Sequence, residues 1–183
     1  YLVCDHCMAE AKVQERMAGY GVPRRVRHAT LENFTITDPR QETALDAVRI
    51  WLLERTSLFL LLLGTCGAGK GHLAAAAVRR FRASATWITH AGLIDGLYGV
   101  PLDYRPGYIG RLQRIPLLVI DEMGGKAMTS DTPETFYKIL DRRYEEGLKT
   151  ILIGNIPLRS KDETKPSLIA LTGGERMESR LLQ

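Results

Sequence analysis

Two groups of residues in this chain have types and spacing suited to phosphate chemistry. The first is Gly64-Thr65-Cys66-Gly67-Ala68-Gly69-Lys70, which follows the apolar run Leu58–Leu63. A buried strand that breaks into a glycine-rich turn ending in Gly-Lys lets backbone N–H groups converge on phosphate oxygens. Lys70 then adds positive charge at the β and γ phosphates, and the helix that follows aims its N-terminus at the same anion. The pattern G-x-x-x-x-G-K-[S/T] is complete except at its last position, which is Gly71 and has no hydroxyl for Mg²⁺. The residues expected to touch nucleotide are Gly64, Cys66, Gly67, Ala68, Gly69, Lys70, Gly71 and His72.

The second group is Asp121-Glu122, at the end of the apolar run Leu117–Ile120. An unbroken apolar strand reads as buried on both faces, and its carboxyl end is the ligand edge of an open α/β sheet. Asp121 could hold Mg²⁺ directly or through water, and Glu122 could polarise an attacking water. Asn155 follows a further apolar run, Thr150–Ile153, and could orient that water; Asn at this position is otherwise a turn residue. Arg176 and Arg180 lie four apart on a helix-compatible terminal segment. They either pair with nearby Glu or supply an arginine finger to the γ-phosphate of a neighbouring subunit.

Composition bounds the rest. The chain has 183 residues, 45% hydrophobic and 25% charged, enough for one well-packed domain. A net charge of +4 permits a nucleic-acid partner without requiring one. No apolar run approaches the roughly 20 residues that span a bilayer, so no membrane role is expected, and the N-terminus has no apolar secretory core. Three Cys fit a reducing cytoplasm better than a disulfide framework. Cys4 and Cys7 form a C-x-x-C pair that can place two thiolates on one zinc, but a structural site takes four ligands and no second pair follows. Two reduced thiols on a terminus and half of a zinc knuckle are both open.

The positioning elements follow in order. Met8–Ala18 is helix-compatible. Pro23–His28 is a compact basic run that is either a solvated linker or a contact with phosphate. After Asp38-Pro39, Ala44, Leu45, Val48, Trp51 and Leu52 recur at helical spacing, making Trp51 core. The alanine-rich segment after Gly71 is a helix closed by Arg79, Arg80 and Arg82. Ala85–Thr89 reads as a strand and Ala91–Leu97 as a short helix. Gly99–Gly110 reads as a loop in which Tyr104, Arg105, Tyr108 and Arg111 interleave rings and charges, a pattern that either stacks on single-stranded bases or covers a core edge. Thr132–Glu146 is a helix with Pro133 at its first position and Gly147 at its end, and Lys161–Pro166 is a polar loop.

In this order, Gly64–Ala76, Leu117–Gly124, Thr150–Asn155 and Gly174–Leu181 resemble the AAA+ ATPases of the DnaC/DnaI helicase-loader group, with IstB-type transposition helpers closely related. Arg24–Phe34 resembles the lead-in of these proteins. The resemblance implies an α/β P-loop NTPase, a three-layer sandwich with a mostly parallel central sheet. It implies ATP/ADP and Mg²⁺ as ligands, with Asp121 at the metal, Glu122 as base, Asn155 as sensor, and Arg180 acting in trans with Arg176 as a second basic contact. By the same likeness, Thr89–Arg114 would include an extra helix that contacts DNA, and single-stranded DNA would be a partner. A replicative hexameric helicase would be the partner, and self-association an open ring or spiral. The alternatives are a transposase-directed ATPase of IstB type and a nucleotide-dependent scaffold with little turnover. Residues 1–22 would be the remnant of an N-terminal, zinc-binding module and its linker. Residues 23–183 would be the ATPase core, with a further strand expected beyond Gln183.

Overall fold

Four short apolar segments pair into one parallel sheet: β1 (Phe59–Leu63), β2 (Ala85–Thr89), β3 (Leu117–Met123) and β4 (Lys149–Gly154), in the order β1-β4-β3-β2. The computed structural model describes residues 5–81, 83–125, 132–162 and 165–182. Parallel neighbours need crossover connections, and here helices supply them on both faces. One face carries α1 (Asp5–Gly19), α2 (Pro39–Leu53) and α3 (Lys70–Arg80). The other carries α4 (His90–Tyr98), α5 (Arg105–Arg114), α6 (Thr132–Glu145), α7 (Leu168–Leu171) and α8 (Glu175–Leu181). The fold is the expected three-layer α/β sandwich.

Strand side chains alternate between the two cores. Leu60, Leu62, Leu117, Val119, Ile151 and Ile153 join α2 and α3, whereas Leu118, Ile120 and Leu152 join α4 and α6. Full burial of each such side chain contributes about 1.5–3 kcal/mol, so β3 and β4 anchor the fold. The Ala74–Ala77 run of α3 is buried throughout, its small side chains allowing the helix to lie close on the sheet.

Segments expected from spacing are present with shifts at their ends. Asp38 caps α2, accepting from Arg40 N at 2.8 Å, while the Gln41 side chain accepts from Asp38 N. Trp51 is buried, and Lys149 Nζ lies 4.1 Å from its ring centroid. Arg82, in the expected helix-closing trio, lies outside the described residues.

The stretch Gly99–Gly110 is not a loop. It forms a 3₁₀ turn, Leu102–Tyr104, and the first turns of α5. Pro106 sits in the first turn of α5, where its missing N–H has no intrahelical partner to lose. Tyr108 packs on Gly96 of α4, where a Cβ would lie 2.4 Å from the phenol oxygen, so a larger residue there would push the ring aside.

Residues preceding the sheet are docked on it. Met17 and Val22 are fully buried in the core that holds α3. Trp87 N donates to Tyr20 O at 2.7 Å, which satisfies a donor on the outer side of β2. Arg79 pairs with Glu10, and Arg16 Nη2 donates to Arg79 O. Arg143 of α6 is fully buried and donates to Thr150 Oγ1, Leu112 O, Ile115 O and Lys149 O. It ties α5, α6 and β4 together, and burial lowers its pKa to about 9.

Candidate nucleotide site

The carboxyl edge of the sheet brings three separate segments to one cleft. β1 ends in Gly64–Lys70, β3 ends in Asp121-Glu122, and β4 ends beside Asn155. The loop backbone runs through left-handed φ at Gly64 (149°), Gly67 (79°) and Gly69 (86°), so its amides can turn inward, and Lys70, Gly71 and His72 start α3. The first N–H groups of a helix have no intrahelical acceptor and serve an anion.

Lys70 Nζ donates to Gly64 O at 2.8 Å, Thr65 O at 2.6 Å and Asn155 Oδ1 at 2.7 Å. Burial lowers its pKa, opposed by the negative charge that Cys66 and Asp121 carry when ionised. Asn155 Nδ2 in turn reaches Cys66 Sγ at 3.1 Å. The β1 and β4 tips are therefore linked by side chains as well as by the sheet.

The acids sit at a bulge. The β3–β4 register shifts between Ile120 and Met123, and Glu122 has φ of 57°, in the left-handed region uncommon for a non-glycine residue. An extra residue in one strand re-aims its neighbours. Asp121 stays buried and accepts from Glu122 N at 2.8 Å, while the Glu122 side chain is exposed. Both line a cleft of about 520 Å³ with Lys70, Gly71, Asn155 and Arg25.

A second cleft of about 490 Å³ shares Cys66–Ala68 and Lys70 with the first and is also lined by Ala44, Leu61, Leu73, Asp38 and Gln41. A phosphate chain lying in the loop has an apolar-walled recess within reach.

The donor set suits Mg²⁺ in part. That ion commonly keeps several waters and takes one or two carboxylates plus substrate phosphates. Asp121 offers a carboxylate in the cleft, and Gly71 offers no side chain. No group of three His, Cys, Asp or Glu side chains forms a metal set among the described residues. For zinc, Cys7 is exposed in the first turn of α1, and Cys4 lies outside the described residues.

Three expected residues face elsewhere. The His72 ring contacts Thr30 O at 2.9 Å and packs edge-on against Phe34, and His72 lines neither cleft. Arg176 and Arg180 line neither cleft. They cross from α8 to α6, where Arg176 pairs with Glu134 at 2.8 Å and Arg180 with Asp141, and Arg180 also lies over the Tyr144 ring.

Sequence reasoning did not identify the support under the loop. Thr30 and Asn33 bond reciprocally, Thr30 N to Asn33 Oδ1 at 2.8 Å and Asn33 N to Thr30 Oγ1 at 3.0 Å. That turn presents Phe34 against Gly69, where a Cβ would fall 2.6 Å from the ring. The signal was the Thr-x-x-Asn-Phe pattern, legible as a side-chain turn but not as a contact with Gly69.

The family model for IstB-like ATP-binding proteins matches residues 8–166. No curated protein matches significantly. Among solved structures, the DnaC helicase loader is 23% identical with a TM-score of 0.71, the match covering 87% of this chain and 95% of that one. The structure of DnaI is 21% identical with a TM-score of 0.64, covering 87% and 84%. AMPPCP-bound DnaA from Aquifex aeolicus is 19% identical with a TM-score of 0.64, covering 88% of this chain and 49% of DnaA, so the chain spans about half of that protein. At these identities the likeness is one of fold: a P-loop sheet of AAA+ type. With the family model spanning most of the chain, from α1 into the segment after β4, this protein belongs to the family of IstB-like ATP-binding proteins.

Proposed function

We propose that the chain binds ATP at the Gly64–Lys70 loop, hydrolyses it slowly alone, and serves as a loader for a replicative hexameric helicase on single-stranded DNA. The observation that carries the ATP reading is the meeting of Lys70, Asn155, Asp121 and Glu122 in one cleft. Phosphate oxygens would compete with the loop carbonyls and Asn155 for the Lys70 ammonium. Asp121 is the residue to hold Mg²⁺, which when bound would neutralise phosphate charge. Glu122, exposed on its bulge, has the reach to accept a proton from water, and Asn155 can orient that water.

The trans role of Arg180 is supported by its pairing from α8 with Asp141 of α6 and by its absence from the lining of either cleft, which leaves it to act on nucleotide brought by another copy. Open-ring or spiral self-association would supply that copy. Tyr104 on the turn before α5 is strongly exposed and Arg111 is exposed, and both suit a single strand. Tyr108 is half-buried against Gly96 and is the ring to discount.

The loader reading draws on the fold shared with a structure described as a helicase loader. The family model supports a second reading, a transposase-directed ATPase of IstB type. Pull-downs of the full chain with a replicative helicase and with a transposase, each with ATP, decide between them. Capture of transposase alone removes the loader reading. ATP turnover with and without single-stranded DNA tests the enzyme: no turnover under either condition leaves a nucleotide-dependent scaffold.

A further inference from the structure

The basic run Pro23–His28 contains a cation without a structural task. Arg27 is committed, its Nε donating to Val22 O at 2.8 Å. Arg25 is exposed on the 3₁₀ turn Arg24–Val26 and makes no hydrogen bond or ion pair among the described residues. It nevertheless lines the same cleft as Lys70, Asp121, Glu122 and Asn155.

The turn that carries it is held in place. Val26 N donates to Pro23 O at 3.0 Å, Ala29 N to Val26 O at 3.0 Å, and Arg79 Nη1 of α3 to Arg27 O at 3.2 Å. The backbone under Arg25 is thus fixed to the helix that begins at Lys70.

Charge and space both give Arg25 a use. Without it, Lys70 faces two carboxylates and the cleft lining carries an excess negative charge, which opposes a triphosphate; with it, the lining is balanced. At Gly71 an added Cβ would meet nothing nearer than Val26 Cγ1 at 4.0 Å. Packing therefore does not exclude a serine there, and the missing metal-binding hydroxyl is a feature of the site's chemistry. The turn that touches this open position is the one that carries Arg25.

We propose that Arg25 contacts the nucleotide's phosphates in cis and supplies part of the charge neutralisation that a hydroxyl-held Mg²⁺ would supply, so that ATP binding depends only weakly on metal. The inference rests on the reading of Gly64–Lys70 as the nucleotide site.

The test is ATP titration of the full chain, once in excess EDTA and once in excess Mg²⁺, for the wild type, Arg25→Ala, Arg25→Lys, Gly71→Ser and Lys70→Ala. Unchanged melting of Arg25→Ala is expected for an exposed side chain and excludes misfolding. In EDTA, Arg25→Ala should bind about 10-fold more weakly than the wild type, the scale of one charge-assisted contact. The loss should shrink in Mg²⁺, Arg25→Lys should recover most of it, and Gly71→Ser should bind more tightly when Mg²⁺ is added. Equal affinity of wild type and Arg25→Ala in EDTA overturns the proposal, and so does an equal loss under both conditions. If Lys70→Ala loses ATP while Arg25→Ala does not, the nucleotide site stands and Arg25 is removed from it. A wild type that binds no ATP in either condition overturns both.

Discussion

The Lys70 ammonium lies 2.7 Å from Asn155 Oδ1, joining the phosphate loop after β1 to the tip of β4 across 85 positions of sequence. The same ammonium is held by two carbonyls of its own loop, so a ligand must compete for it. Asn155→Asp replaces a neutral acceptor with a carboxylate and should weaken ATP binding about 10-fold, because ionised acceptors hold a cation roughly twice as strongly. Asn155→Ala should leave binding within a few-fold and lower turnover. Calorimetric titration beside a steady-state assay separates the two, and tighter ATP binding by Asn155→Asp would show that Lys70 does not meet phosphate.

Arg180 and Asp141 form a partly exposed pair between α8 and α6, which should contribute at most about 1 kcal/mol to stability. Arg180→Ala should therefore melt near the wild type, bind ATP normally, and lose DNA-stimulated turnover by about 10³-fold if the residue acts in trans. Equal loss of ATP binding would sink the trans assignment.

Gly69→Ala should destabilise the chain by about 2 kcal/mol or more, since a left-handed φ costs a side chain about 1–2 kcal/mol and the new Cβ overlaps the Phe34 ring. Adding Phe34→Leu should recover the overlap and leave the backbone cost. Urea unfolding of both variants measures the split; no recovery in the double variant would mean Phe34 does not press on the loop.

The Asp38 carboxyl is pulled from 3.8 to about 2 by the Arg40 side chain and then by the Arg40 amide it caps. Its folded pKa is depressed, so its contribution is complete above pH 3.8 and fades as pH falls towards 2. In wild type minus Asp38→Asn melting differences, the gap should close across that window. A gap that stays constant from pH 5 to pH 2 would mean the cap does not depend on ionisation.

The chemistry and the layers of this protein were legible in one dimension because their signals are local. Leu58–Leu63 running into Gly64–Lys70 and Leu117–Ile120 into Asp121-Glu122 are read from apolar runs and neighbouring residue types, and their strands lie in one parallel sheet as expected. The helix containing Trp51 followed from the spacing of its apolar residues, and the Asp38 cap was seen only in the structure. Gly99–Gly110 misled because proline and glycine mark breaks in isolation, whereas Pro106 falls where a helix tolerates it and Gly96 admits Tyr108 from across the interface. What only the tertiary structure decided depends on the meeting of distant segments: Phe34 on Gly69, Thr30 on His72, Arg143 among four acceptors, and Arg25 in the cleft that Asp121 lines. The Glu122 backbone belongs there too, because a bulge exists only against the partner strand β4. Residue types determine which groups can bind phosphate. Which of them share a cleft is set by packing across the sheet, where burial and hydrogen bonding join residues that local pattern keeps apart.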